Sequence, residues 1–227
     1  MGIKRTVQGL AATLILVAGA SGIGTPIASA ATPVCGASCI SVFSRELGTY
    51  AHPNFVEDIL GGEASVGQPV GLKQASGSDP SEDILPRGGT VASFFAVGMV
   101  SAEANSHYGS LRAVQQEYAP LGIRSGLCVG LATVAYQTEG LTLQPCNVPS
   151  TTVWILDPAL SSTTPGYFPI INASTTDFSH PFAMHLPQGE VASGQALQMQ
   201  VRHLQFLSGE ETLPDRELWG AHFGVLN

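Results

Sequence analysis

From residue 39 onward, apolar and polar residues alternate in short runs broken by Gly, Pro, Asn, Ser and Asp. A period of two over a few residues marks a strand with one buried face, and the residues between such runs supply turns. Ile40 and Val42 flank Ser41 in Cys39-Ile-Ser-Val-Phe43. Leu127, Val129 and Leu131 share one face of a second strand, and Leu141 and Leu143 share one face of the run from Gly140 to Gln144. Leu197, Met199 and Val201 alternate with Gln198, Gln200 and Arg202. Leu204 and Phe206 then continue one residue out of phase, which predicts a β-bulge near Arg202 and His203. The run from Thr90 to Ala96 and the apolar stretch Phe94 to Val100 predict a buried strand, as does Tyr167 to Ile171. Only Gly109 to Tyr118 has helical character, and its alternation of Leu111, Ala113 and Gln115 with Arg112, Val114 and Gln116 suits a strand equally well. The pattern predicts an all-β domain.

A weak threefold repeat runs through these strands. Residues 127–157 read Leu-Cys-Val-Gly-Leu, a loop, Gly-Leu-Thr-Leu-Gln-Pro-Cys and then Thr152-Val-Trp154. Near the C-terminus the order is His180 to His185, Ala196 to Val201, then Glu217-Leu-Trp219. A fainter copy comes first: Cys39 to Phe43, Gln68 to Lys73, then Ser81 to Leu85, which places the third-strand anchors at Asp83, Trp154 and Trp219. The copies occupy about residues 39–100, 127–172 and 180–227. Three repeats of four strands are the plan of a β-trefoil. A β-sandwich is the alternative that short alternating strands also permit.

The N-terminus changes the compartment in which this domain is read. Lys4 and Arg5 precede an apolar run from Leu10 to Ala20, then Gly22, Gly24 and Pro26, then Ala28-Ser29-Ala30. That is the order of a secretory signal peptide with an A-x-A cleavage site, and the apolar run falls well short of the ~20 residues that span a bilayer. Cleavage after Ala30 leaves a single domain of residues 31–227, exported and free of the membrane. Its 7 basic and 17 acidic residues give a formal charge of −10, which excludes the basic footprint of a nucleic-acid binder. Charged residues are only 11% of the chain, so Ser, Thr, Gly, Gln and Ala must build much of the surface.

All 4 cysteines, Cys35, Cys39, Cys128 and Cys146, lie beyond the signal. In an exported chain an even number implies disulfides, with three connectivities open, and the spacings do not suit zinc. If Leu127 and Val129 face the core, Cys128 faces away from it, and Cys146 takes the same phase beyond Leu143. Adjacent strands would then bring the two sulfurs together. Cys35 and Cys39 would have to close a tight loop through Gly36-Ala37-Ser38.

Leu127-Cys128, the loop that follows, Leu-Thr-Leu-Gln-Pro-Cys146 and Trp154 together resemble one subdomain of the ricin B-type β-trefoil family. Members of that family join a cysteine of one strand to a cysteine of the next and then carry Q-x-W. The resemblance implies a lectin-like fold and carbohydrate as the ligand class. By position it puts Tyr136, Gln137 and Asn147 where a second unit would hold sugar. The chain also departs from the pattern. Thr152 and Glu217 replace the motif glutamine, the first copy has Ser81-Glu82-Asp83, and Gly130 stands where sugar-binding members place an aspartate. As a whole the chain resembles secreted bacterial proteins, a likeness that implies no activity.

No serine-hydrolase elbow, zinc-protease motif, phosphate loop or dinucleotide fingerprint is present. The histidines at 52, 107, 180, 185, 203 and 222 are scattered, which predicts surface or loop roles and no metal site. Glu57-Asp58, Glu82-Asp83 and Glu210-Glu211 are adjacent in sequence, which predicts solvated loop acids; a glycosidase pair comes from separate segments across a cleft. The two tryptophans are expected in the core. The sequence therefore points to a non-catalytic protein without cofactor, with a polysaccharide or an extracellular protein as partner. A carbohydrate-binding domain is the first expectation, and a protein-interaction or inhibitor module the alternative.

Overall fold

A computed structural model describes residues 35–49, 54–76, 78–160, 165–187, 195–201, 205–207 and 210–223. The export signal expected at the N-terminus and the bulge expected at Arg202 and His203 lie outside the described residues. The first four strands are β1 (Ile40–Ser44), β2 (Phe55–Ile59), β3 (Val70–Gln74) and β4 (Ile84–Thr90). Two short helices follow, α1 (Val91–Ala96) and α2 (Ala102–Tyr108). A second set comprises β5 (Arg112–Tyr118), β6 (Leu127–Gly130), β7 (Thr142–Pro145) and β8 (Trp154–Leu156). The third contains β9 (Ile170–Asn172), β10 (Phe182–His185), β11 (Gln195–Ala196), β12 (Gln198–Val201), the small hairpin β13 (Gln205–Leu207) with β14 (Glu210–Thr212), and β15 (Trp219–Phe223).

Antiparallel pairing runs β15-β1-β4-β5-β8-β9. A bridge between Phe168 and Trp219, with N–H···O distances of 3.0 and 2.9 Å in the two directions, joins the ends. Six strands thus close into a barrel and leave no open edge in that ring. The pairs β2–β3, β6–β7 and β10–β12 form three hairpins beside it. Those hairpins meet in a cycle of backbone bonds, in which Val70 N–H donates to Leu141 O, Leu141 N–H to Leu197 O, and Leu197 N–H to Val70 O, at 2.9, 3.0 and 3.0 Å. All three side chains are buried at this pseudo-threefold axis. A ring of six strands capped by three hairpins is a β-trefoil, and the sandwich alternative is excluded.

Strand register fixes the repeat more closely than sequence similarity does. Ile40 pairs with Ile84, Val114 with Trp154 and Phe168 with Trp219, so these three pairs are equivalent. The units therefore start at β1, β5 and the segment leading into β9, one strand ahead of the similarities seen near 127 and 180. The anchor of the first unit is Ile84, where the sequence pattern suggests Asp83. In the other two units the anchor is a fully buried tryptophan, whose indole N–H donates to Val129 O at 2.8 Å or to Met184 O at 2.9 Å. Bonding the indole to a backbone carbonyl lets a large aromatic fill the core without stranding its polar atom.

Two further expectations are corrected. Thr90 ends β4, and the segment from Val91 to Val100 is a helix and turn, and no strand. Thr90 Oγ1 accepts the Ser93 N–H at 3.1 Å while Ser93 Oγ accepts the Thr90 N–H at 2.9 Å, a reciprocal cap that starts α1. Val91 and Phe94, three apart on one face, are buried, and Phe95 and Val97 are exposed. The adjacent acids Glu57, Asp58, Glu82 and Asp83 are buried, and no solvated loop acids. Asp83 shows what such a group does here: its carboxylate accepts the Cys35 N–H at 2.9 Å and the Leu121 N–H at 2.7 Å, tying two loops to the barrel.

Both disulfides form. Cys128 lies opposite Gln144 across the second hairpin, and Cys146 N–H donates to Gly126 O, so the two sulfurs meet diagonally with Cα atoms 4.9 Å apart. Closing this loop stabilises the fold by ~3 kcal/mol in the chain-entropy model. Cys35 and Cys39, with Cα atoms 5.8 Å apart, are bridged across the turn Gly36–Ser38.

Candidate functional site

The register gives Gly130 a counterpart in each of the other two units. Asp58, Gly130 and His185 pair with Gly71, Thr142 and Gln198, the residues that follow the axial triad Val70, Leu141 and Leu197, so Ile59, Leu131 and Leu186 are equivalent. The preceding residues are Asp58, Gly130 and His185. Their neighbours across the unit are Ser81, Thr151 and Arg216, each three residues before the anchors Ile84, Trp154 and Trp219. One geometric position therefore carries three different chemistries.

In the second unit no side chain fits. A Cβ on Gly130 would lie 2.9 Å from both Thr151 O and Thr152 Cγ2, because the N–H of Leu131 pulls the Thr151 carbonyl against the strand. In the third unit His185 is 4% exposed, and neither of its ring nitrogens has a hydrogen-bond partner. Its Nδ1 lies 3.8 Å from Glu217 Oε1. The surface or loop role expected for every histidine does not hold for this one, since β10 carries it inward.

The first unit has the aspartate. Ser81 Oγ lies between two carboxylates, 2.5 Å from Asp58 Oδ2 and 2.6 Å from Asp79 Oδ1, so its one hydroxyl proton is shared between them. Asp58 Oδ1 is buried with no partner. Asp79 accepts the Ser81 N–H at 3.0 Å and forms an ion pair with Lys73. The side-chain hydrogen bond from Lys73, followed by that from the Ser81 hydroxyl, lowers the Asp79 pKa to about 2. Burial raises the Asp58 pKa, against the opposing effects of the Ser81 hydrogen bond and the Lys73 charge. The result is an oriented acceptor beside a half-exposed ammonium. Sequence reasoning missed Asp58 because its strand was not recognised.

Tyr136 and Gln137 lie at the exposed tip of the second hairpin, beyond the Gly130–Thr142 pair. Asn147 lies past the Leu127–Pro145 pair at the other end, so the four-residue strands separate it from them by ~10 Å. The structure does not bring the three together. Asn147 instead lines a groove of about 600 Å³ with Gln115, Arg87, Phe94, Val97 and Met99. Gln115 donates from its amide to Cys146 O at 2.7 Å and to Thr152 Oγ1 at 2.8 Å, fixing the groove floor.

The fold defines a β-trefoil protein in which one of three equivalent positions carries a buried, oriented aspartate. No protein-family model matches the chain, and no curated protein is similar to it in sequence. Among solved structures it is similar to the designed threefold-symmetric protein ThreeFoil, at 11% identity and a TM-score of 0.52, over 81% of this chain and 97% of that one. It is also similar to the Rhizoctonia solani agglutinin, at 18% identity and a TM-score of 0.46, over 81% and 94% of the two chains. A third is the Macrolepiota procera ricin B-like lectin, solved in complex with lactose, at 12% identity and a TM-score of 0.47, over 82% and 95%. At these identities the likeness is one of fold, which by itself assigns no function.

Proposed function

We propose that this chain is a secreted, non-catalytic carbohydrate-binding β-trefoil whose working site lies in the first unit. The observation that carries this reading is Asp58. It occupies the position at which the ricin B-type resemblance implies a sugar-binding aspartate, its Oδ2 shares the Ser81 hydroxyl with Asp79, and its Oδ1 has no partner. A sugar hydroxyl is a donor suited to that acceptor. The Macrolepiota procera neighbour is a lectin with lactose bound, which agrees with a sugar as ligand class. The acidic, lysine-poor surface favours neutral polysaccharide over anionic polymers.

A glycan array or polysaccharide pull-down with the mature protein tests this. Asp58→Asn is expected to lower retention at least tenfold, since it removes a charge-assisted acceptor. Tyr136→Ala, at the hairpin tip of the second unit, is expected to leave retention unchanged. No retention by wild type, or equal retention by Asp58→Asn, would sink the proposal.

A protein-interaction or inhibitor module is the second reading, favoured by one observation. The helical insertion after β4 exposes Phe95 and Val97, at 41% and 72% of their accessible surface. A protein partner from the culture medium that binds wild type and not Val97→Asp, together with an empty glycan array, supports it instead.

A further inference from the structure

The barrel has a second end. β5 runs from Arg112 toward the second hairpin and β8 runs back from Trp154 to Leu156, so Arg112, Leu156 and Phe168 sit at the end away from the hairpins. There Leu111, Leu156, Pro158 and Phe168 line an almost wholly apolar pocket of about 540 Å³, with Ser110 and Arg112 at its rim. That volume lies within the range of ~300–1,000 Å³ usual for small-ligand sites. Leu156 and Phe168 pack on the main core below, which gives the pocket a firm floor. Ser110 and Arg112 also border a second, more polar recess lined by Gly88, Gly89, Thr90 and Ser93, which leads outward.

Arg112 is unusual in this acidic chain. Among the described residues Arg45, Lys73, Arg87, Arg124 and Arg216 each form an ion pair with a carboxylate, and the exposed Arg112 does not. The neighbouring acid, Asp157, accepts the Ala159 N–H at 3.1 Å. A free guanidinium at the mouth of an apolar pocket matches a ligand with an apolar tail and a single anionic head, because the head neutralises the charge while the tail leaves water.

We propose that this pocket binds an aliphatic carboxylate, its alkyl chain against Leu156, Pro158 and Phe168 and its carboxylate on Arg112. The site is independent of Asp58, which lies at the hairpin end, so loss of sugar binding and loss of carboxylate binding are separable by mutation. Isothermal titration of the mature protein with octanoate, below its micelle concentration, tests it. Saturable binding of one octanoate per chain is expected, weakened about tenfold by Arg112→Gln. Ser110→Trp, a change at an exposed rim position, is expected to block both octanoate and 1-octanol. 1-Octanol is expected to bind wild type and Arg112→Gln alike. Near-UV circular dichroism identifies any variant that has lost its fold, and Asp58→Asn is expected to bind octanoate as wild type does. Absence of saturable octanoate binding, or binding indifferent to Arg112→Gln or to Ser110→Trp, overturns the proposal.

Discussion

Replacing Glu57 with methionine is expected to stabilise the protein, by an amount that grows as pH rises from about 4.5 to about 8. Glu57 is the first-unit counterpart of Val129 and Met184, two members of the main core, and its strand turns it to the same side as buried Ile59. Its carboxyl is fully buried, neither oxygen has a hydrogen-bond partner, and burial raises its pKa from 4.5 to about 8. Below pH 4.5 both folded and unfolded chains hold this proton. Between 4.5 and 8 the unfolded chain has released it and the folded chain keeps it, so unfolding releases a proton and stability falls as pH rises. Above that window the loss levels off. At ~1.4 kcal/mol per pKa unit the wild-type penalty at its upper end is on the order of 4 kcal/mol. Methionine is close in volume and carries no charge, so Glu57→Met removes the penalty. Urea denaturation of the two proteins at pH 5, 6.5 and 8.5 measures the difference. A mutant no more stable than wild type at pH 8.5, or an advantage that does not change with pH, would show that Glu57 is not a buried neutral acid.

Trp219→Ala should cost about 3–5 kcal/mol, the range for removing a large buried aromatic. Two roles converge on this residue. Its backbone forms the bridge to Phe168 that closes the barrel, and its ring is fully buried with the indole N–H on Met184 O. Trp219→Phe separates the contributions: it keeps most of the packing and should lose about 1–2 kcal/mol, chiefly through the unpaired Met184 carbonyl. Urea midpoints at one pH report both. Equal, small losses for the two variants would mean that the third unit tolerates an empty core position.

Strands were legible in the sequence where large apolar residues alternate with small or polar ones. Cys39 to Phe43, Leu127 to Leu131 and Leu141 to Gln144 alternate cleanly, and they correspond to β1, β6 and β7. The cysteine phase placed the Cys128–Cys146 bridge, and the tryptophans marked two of the three anchors. The missed strand, anchor and aspartate share one physical cause. β2 reads Phe-Val-Glu-Asp-Ile, and its two acids look like a solvated turn. In the structure one of them is buried among core side chains and the other lies against Ser81, and both placements depend on tertiary neighbours that periodicity does not report. Missing β2 moved the first-unit anchor from Ile84 to Asp83 and hid Asp58, leaving Tyr136, Gln137 and Asn147 as the candidate ligand residues that the sequence offered. α1 escaped for a different reason: a six-residue helix is less than two turns, too short for a 3.6-residue period to show, and only the Thr90–Ser93 cap signals it.

A crystal structure of the mature chain with the oligosaccharide it retains best is the most direct test of the Asp58 site. The expected result is a sugar hydroxyl about 2.7 Å from Asp58 Oδ1. Sugar density confined to the groove beside Asn147, or a first unit that stays empty at Asp58 while sugar binds elsewhere, contradicts it.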